Sequence, residues 1–352
     1  MRAAAKPDLA ARVVRWQAEH GRHNLPWQNT RDPYRVWLSE IMLQQTQVVT
    51  VLDYFARFLR RFPDVRSLAA ASLDDVLGLW SGLGYYSRAR NLHACARQVA
   101  GAHGCIFPDN AQALQTLPGI GRSTAGAIAA LCFSERVAIL DGNVKRVLTR
   151  VLGFDADLAA AANERDLWAK AAALLPRRDL DKTMQPYTQG MMDLGATVCL
   201  SKKPLCGQCP LAGLCVGRLR NEPEKYPVKS RKLKRSAQSL WLLWAQTKEG
   251  SVLLSQRPTP GVWAGLYCFA LFDSREALDQ AVPSRLRAAL QDQAAVKHVL
   301  THKDLHLHVV CLQAGAAALA KLEGQWFSAR QWPLLGLPAP VRKLLSGGQP
   351  AG

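Results

Sequence analysis

Four cysteines, Cys199, Cys206, Cys209 and Cys215, stand in the spacing C-x6-C-x2-C-x5-C. Thiolates this close along a chain converge on one centre, and soft sulfur suits either an iron–sulfur cluster or zinc. Pro204 and Pro210 flank the central C-x-x-C pair and make the segment a tight chelating loop. Whatever fold the chain adopts has to hold this loop closed. The chain carries nine cysteines in all, and Met1 to Asp8 hold two basic residues without an apolar stretch of signal-peptide length. That combination argues against a disulfide framework and for thiols or metal in a reducing cytoplasm.

The second constraint is charge. Lys and Arg total 45 against 27 Asp and Glu, a formal net charge of +18. Such a surplus favours a polyanion, because each neutralised phosphate releases condensed counterions. An anionic membrane surface is the alternative, but no apolar run approaches the roughly 20 residues needed to span a bilayer. At 352 residues the chain has room for two domains. From Pro7 to about Ala212 apolar residues recur at spacings of three and four, broken at Pro63, Pro108, Pro118 and Pro176, which predicts helices. Arg218 to Arg235 hold eight Lys or Arg, two acids and two prolines, the composition of a basic linker. Beyond it, Ser239 to Gln246 and Ser251 to Ser255 read as strands joined by a turn at Lys248-Glu249-Gly250. His306 to Leu312 reads as a further strand, and a helical segment is expected near Arg275 to Gln291.

Three stretches of the helical part carry chemistry. In Leu117-Pro118-Gly119-Ile120-Gly121 two glycines allow a sharp turn that exposes N–H groups at a helix start, a phosphate-binding geometry shared with ordinary helix–helix turns. Further on, Asp141 precedes a helix whose Val144, Val147, Leu148, Val151 and Leu152 lie on one face. As an N-cap Asp141 is worth about 1 kcal/mol; held ionised by the positive helix end, it also suits a developing cation. Glu40 is the only acid between Asp32 and Asp53 and sits among apolar residues, so its pKa is expected to rise enough to retain a proton near neutrality. A solvent-facing glutamate on an amphipathic helix is the plainer alternative. The Gln44-Gln45-Thr46-Gln47 run is odd for a core helix and apt for contacts with base edges.

LSEIMLQQTQV, GLGYYSRARNLH, LPGIGRSTAGAI and ILDGNVKRV, followed by the four cysteines, closely resemble the MutY-type adenine DNA glycosylases of the endonuclease III superfamily. The match covers nearly all of residues 20 to 216. The resemblance implies a mainly α fold, with a helix-hairpin-helix glycosylase core and an iron–sulfur loop. It implies a [4Fe–4S] cluster on Cys199, Cys206, Cys209 and Cys215, with Lys202 and Lys203 positioned to meet phosphate. Glu40 takes the place of the glutamate that protonates the adenine ring, Asp141 that of the catalytic aspartate, and Asn143 that of a residue placing water or sugar. Trp27, Leu43, Val48 and Gln189 match the adenine pocket. Gln44 and Tyr85 match side chains that wedge into the base stack, and Leu83 and Ser123 belong with the same pocket and wedge positions. By composition alone Tyr85 and Tyr86 read as core aromatics. Gly119 and Gly121 match the backbone-gripping hairpin. Ser123 stands where endonuclease III-type enzymes carry the lysine that attacks the sugar, which implies a monofunctional glycosylase. Lys145, one turn past Asp141, receives no catalytic role.

Pro258 to Tyr267 resembles the entry of the Nudix-like domain that MutY enzymes append, without the glutamate cluster of pyrophosphate hydrolysis. The resemblance implies an α+β domain that recognises 8-oxoguanine. Thr301 and His302 match its recognition loop, while Leu300 stands for the usual Phe and Lys303-Asp304 depart from the pattern. His298, His306 and His308 alternate as on a strand and read as solvent-facing or packed rather than as metal ligands. The expected organisation is a catalytic region over 7–217, with its cluster loop at 199–215, a basic linker over 218–236 and a Nudix-like domain over 237–347. The expected partner is double-stranded DNA with adenine opposite 8-oxoguanine or guanine, met by a cytoplasmic, nucleoid-associated monomer with no membrane attachment. The competing readings are a bifunctional glycosylase acting on oxidised pyrimidines and a non-catalytic DNA-binding protein.

Overall fold

The computed structural model describes residues 9–230 and 235–347; the first two positions of the expected catalytic region, the leader reading at Met1 to Asp8 and part of the basic linker lie outside the described residues. The helices run α1 (Leu9–His20), α2 (Pro33–Leu43), α3 (Val48–Arg61), α4 (Val65–Ala70), α5 (Leu73–Trp80), α6 (Ser87–Ala102), α7 (Ala111–Leu114), α8 (Arg122–Phe133), α9 (Gly142–Leu152), α10 (Ala161–Ala173), α11 (Leu180–Thr197) and α12 (Val216–Leu219). None is long and apolar enough to cross a membrane. Contacts divide the chain into two units. The first comprises Met1–Phe55, Asp64–Ala69 and Ala94–Lys232; the second comprises Ala56–Pro63, Ala70–His93 and Leu233–Gly352.

In the first unit α11 packs against α1, α8 and α9. The predicted stripe of α9 is buried at Val144, Val147, Leu148 and Val151, with Leu152 partly covered, and it joins Val13, Leu167, Met184 and Leu194 in one core. The basic segment departs from the reading as a linker over its described part. Tyr226 is among the largest fully buried side chains, and its carbonyl accepts from Arg150 Nε at 3.2 Å. Leu158 N donates to Val228 O at 3.1 Å, so residues 218–230 are anchored chain. One aromatic ring supplies the apolar anchor that the charged composition concealed.

The second unit holds an eight-stranded sheet. Its strands are β1 (Ser236–Gln246), β2 (Val252–Gln256), β3 (Tyr267–Cys268), β4 (Ala270–Phe272), β5 (Gln291–Asp292), β6 (Val296–Val299), β7 (Lys303–Gln313) and β8 (Gln325–Phe327). β1 and β7 pair in parallel at the centre, from Ser236 opposite Lys303 to Gln246 opposite Gln313. Leu240, Leu242 and Trp244 enter one core, with Leu337, Val341 and Leu345. Leu243 and Ala245 enter the other, with Leu278 and Val282. Burial on both faces explains why β1 reads as a continuous apolar run rather than an alternation. The helical segment expected to reach Gln291 is cut short: α13 (Arg275–Ala281) ends before Pro283, a 3-10 turn follows over Ser284–Ala289, and β5 begins at Gln291. Proline lacks the N–H that continuing the helix requires. A last helix, α14, covers Ala339–Gly347.

The second unit also takes in helical chain that the sequence reading placed before residue 217. Tyr86 Oη donates to Leu337 O at 2.7 Å, Arg90 donates to Ala264 O at 2.7 Å, and Arg342 Nε donates to Ser81 Oγ at 2.8 Å.

Candidate active site

Glu40 lies on α2, whose start is fixed by Asp32 accepting from Tyr34 N at 2.9 Å and by Pro33 in the first turn. α2 buries Val36, Trp37, Leu38, Ile41 and Met42, leaving Glu40 half-buried beside the core. Loss of water around its carboxyl, reinforced by the charge of Asp141, pushes its pKa up to about 7. The buried Cys132 thiol is pushed up to about 12, chiefly by burial, with smaller contributions from the charges of Asp32 and Glu40. Glu40, Asp141 and Cys132 therefore share one electrostatic neighbourhood, although they come from α2, the start of α9 and the end of α8.

Asp141 is the N-cap of α9 and accepts from Val144 N at 2.7 Å. Burial raises its pKa above the ordinary value, against the lowering pull of the Val144 and Asn143 N–H groups and of Arg146 and Lys145. The helix start alone was expected to hold this carboxylate ionised; burial proves the larger effect. Asn143 Oδ1 accepts from Arg146 at 2.8 Å, and Arg146 also donates to Gly195 O at 2.6 Å and Cys199 O at 2.7 Å. A Cβ at Gly195 would stand 2.5 Å from Asn143 Cβ, so only glycine lets α11 approach α9 here. Lys145 is engaged by Glu164.

The hairpin lies between α7 and α8. Gly119 has φ +76°, which the turn requires of it, and Gly119, Gly121 and Arg122 are exposed at its tip. Ser123 Oγ accepts from Leu140 N at 3.1 Å, so this hydroxyl holds the residue next to Asp141. Gln44 Nε2 reaches Thr124 Oγ1 at 3.4 Å.

A cavity of about 220 Å³ lies alongside, walled by Trp27, Gln28, Val36, Leu131 and Gln189 among others. Val36 is one turn before Glu40, and Leu131 is next to Cys132. Of the expected pocket residues, Trp27 and Gln189 line this cavity; Leu43, Val48 and Glu40 itself do not. Two residues that sequence reading missed set its polarity. Asp193, fully buried, accepts from Arg22 Nε at 2.7 Å and from Gln189 Nε2 at 2.9 Å, which turns the Gln189 oxygen into the available acceptor. Gln28 Oε1 accepts from Leu25 N at 3.3 Å, and its buried Nε2 has no partner among the described residues. Asp193 carries no local signal because Arg22 reaches it only through the fold, and Gln28 carries none because its side-chain hydrogen bond is to the nearby Leu25 N while its cavity neighbours are remote in sequence.

The four cysteines line one small cavity, with Val147, Val151 and Val198 as apolar walls. Among the described residues no three His, Cys, Asp or Glu side chains gather tightly enough for a single metal ion. Arg150, buried on α9, donates to Cys199 Sγ at 3.3 Å and to Leu200 O and Ser201 O at 2.6 and 3.0 Å. These donors suit a set of anionic sulfur ligands.

In the second unit Tyr85 is 45% exposed with φ +47°, on a turn tied by Trp80 Nε1 donating to Gly84 O at 3.0 Å. The Arg88 guanidinium lies over the Trp80 and Tyr85 rings, and Leu83 is buried. Exposure removes the core reading of Tyr85, while Tyr86 is only half-buried. Thr301 and His302 are exposed, and Tyr85 Oη and Thr301 Oγ1 are 3.0 Å apart. His308 stacks on Trp241 at 4.6 Å and His298 lies 6.0 Å from the Trp263 ring.

Comparison with known proteins agrees with this geometry. Residues 38–172 match the HhH-GPD superfamily of base excision DNA repair proteins, 199–215 the iron–sulfur binding domain of endonuclease III, and 240–347 the NUDIX domain. The chain holds a [4Fe–4S] cluster in that loop. A thermostable thymine-DNA glycosylase superposes with a TM-score of 0.52 at 26% identity, over 60% of this chain and 95% of that one. The adenine DNA glycosylase of Homo sapiens is 44% identical, over 60% of this chain and 40% of its own length. That of Buchnera aphidicola (subsp. Acyrthosiphon pisum) is 37% identical over 95% of both chains. With a relative 37% identical over 95% of both chains, and family models matching the hairpin region, the cluster loop and the second unit, the chain belongs to the adenine DNA glycosylase family.

Proposed function

We propose that this DNA N-glycosylase excises adenine paired with 8-oxoguanine or guanine in double-stranded DNA, hydrolysing the N-glycosidic bond with Glu40 as general acid and Asp141 as the stabilising carboxylate. The observation that carries the reading is a glutamate with its pKa near 7, raised in part by the charge of Asp141, next to a cavity of base size. An adenine anion is a poor leaving group; a proton from Glu40 lets the base depart neutral. The sugar left behind is oxocarbenium-like, and Asp141 supplies the negative charge that lowers its energy. Asn143, held by Arg146, orients water or sugar. Trp27 and Gln189 take the extruded base, and Gln44 and Tyr85 fill the gap in the stack, with the buried Leu83 supporting the Tyr85 turn from within. Gly119 and Gly121 grip the backbone without reading sequence. The cluster on Cys199, Cys206, Cys209 and Cys215 ties down a basic loop bearing Lys202 and Lys203. Ser123 offers a hydroxyl already engaged by Leu140 N–H, and no amine, so the reaction ends at the abasic site. Thr301 and His302 read the base opposite adenine. The enzyme works as a monomer in the cytoplasm, on the nucleoid.

The test is one incubation of duplexes with adenine opposite 8-oxoguanine, guanine or thymine, analysed with and without hot alkali. Alkali-dependent cleavage at adenine in the first two duplexes is expected. No abasic product refutes the reading, and nicking without alkali replaces it with a glycosylase that also cleaves the strand.

A further inference from the structure

The turn between β6 and β7 is held far more tightly than an exposed loop needs. Leu300 N donates to Lys303 O at 2.8 Å, and Ser236 N donates to His302 O at 3.1 Å. The remaining two carbonyls of the turn face one side chain. Arg235 donates to Leu300 O at 2.9 Å and to Thr301 O at 3.2 Å. The same guanidinium pairs with Asp304, whose second oxygen is 3.1 Å from Lys297 Nζ. Lys303 Nζ is turned away, to Gln238 Oε1 at 2.9 Å. All four carbonyls from Leu300 to Lys303 thus accept from within the protein, and the outward surface consists of the exposed Thr301 and His302. Lys303-Asp304 departs from the resembled family's pattern, and the departure has a use here: Asp304 is the anion that fixes Arg235 against the turn.

We infer that Arg235 and Asp304 are a positioning pair that fixes the Leu300–Lys303 turn and thereby sets how strongly the enzyme distinguishes 8-oxoguanine from guanine opposite adenine. This rests on the reading of Thr301 and His302 as the residues that meet the opposite base. The two guanines differ at one edge: 8-oxoguanine has an N–H and a new carbonyl where guanine has a bare ring nitrogen and a C–H. A hydroxyl and backbone N–H groups held in one place can reward that difference. The hydroxyl accepts from that N–H, and the backbone N–H groups donate to the new carbonyl, only while the turn is held in one place, so a turn released from Arg235 loses the contrast. Arginine is required for its geometry, since a planar fork reaches two carbonyls and a carboxylate together, whereas lysine is a point charge.

The test measures single-turnover excision from duplexes with adenine opposite 8-oxoguanine and opposite guanine, for the full-length wild type, Arg235→Ala, Arg235→Lys, Asp304→Asn, Thr301→Ala and the Arg235→Ala/Thr301→Ala double variant. In Arg235→Ala the preference for 8-oxoguanine is expected to fall about tenfold, through a slower rate on that substrate, with the guanine rate within about twofold of wild type. Asp304→Asn is expected to lose part of the preference and Arg235→Lys to restore only part. The double variant is expected to match Thr301→Ala, as residues acting through one another must. Equal loss on both substrates makes Arg235 a mere fold support and overturns the inference, as does full preference in both Arg235→Ala and Asp304→Asn. Preference lost in Thr301→Ala but kept in Arg235→Ala overturns the clamp alone. A wild type without preference refutes the reading of the turn, and the clamp with it.

Discussion

Replacing Glu40 by glutamine should stabilise the protein and abolish its chemistry, and the size of both effects follows from one titration. At the ordinary value of 4.5 a glutamate is protonated in about 0.3% of molecules at pH 7; at about 7 it is protonated in about half. Burial and the Asp141 charge thus raise the proton-donor population about 150-fold, equivalent to about 3 kcal/mol. The same amount burdens folding. Below pH 4.5 the carboxyl is protonated in both folded and unfolded chains and contributes nothing. Between 4.5 and about 7 the unfolded chain ionises first, so stability falls as pH rises, and above about 7 the full penalty stands. Glu40→Gln removes the penalty. Urea unfolding should show the variant more stable by up to about 3 kcal/mol at alkaline pH and equal to wild type in acid. Excision runs the other way. The wild-type single-turnover rate should fall on the basic side with a midpoint at or above about 7, since bound phosphates favour the protonated form further. Glutamine should lower the rate by about 10²-fold or more. A wild-type rate independent of pH from about 5.5 to 8.5, or a fully active Glu40→Gln, refutes the reasoning.

Three further changes separate chemistry from architecture. Asp141→Asn keeps an oxygen for Val144 N–H, so melting should shift by less than about 1 kcal/mol of stability while excision drops by about 10²-fold or more; parallel losses would reduce Asp141 to a cap. Gln28→Leu removes a buried donor that has no partner among the described residues, so stability should hold or rise by about 1 kcal/mol while adenine excision weakens; unchanged excision would leave Gln28 a spectator. Arg150→Ala strands the carbonyls of Tyr226, Leu200 and Ser201 beside the cluster and should cost about 3 kcal/mol or more, read as lower unfolding stability and iron content. Arg150→Lys should not rescue it.

Much of this was legible in the chain itself, for identifiable reasons. The hairpin, the cap at Asp141 and the cysteine loop are local devices, in which neighbouring residues carry the whole geometry. The β1 and β2 strands and their Gly250 turn read correctly because an apolar run and a positive-φ glycine need no distant partner. What stayed hidden depends on partners remote in sequence. Tyr226 anchors a segment that composition presents as free linker because its burial is decided by Arg150 and the loop around Leu158. Gln28, Arg22 and Gln189 become the wall of a base-sized cavity only when α11 comes within reach of the chain after α1, where Asp193 accepts from both Arg22 and Gln189. Arg235 reads as one more charge in a basic run until β1 and β7 pair and lay it against the Leu300 turn.

The pair of carboxyls shows why charge patterning alone misjudges a site. Burial raises the pKa of both, so burial does not decide which of them holds the proton. Their surroundings do. Asp141 has the Val144 and Asn143 N–H groups and the cations Arg146 and Lys145 drawing its pKa back down, whereas the second influence on Glu40 is the Asp141 charge, which pushes its pKa further up. A proton shared between the two therefore goes to Glu40, and the negative charge stays at the start of α9. Removing a donor from Asp141 would raise its pKa further, and any charge lost there would let the Glu40 pKa fall. The assignment of acid and anion is thus a property of the first turn of α9 and of Arg146 as much as of Glu40.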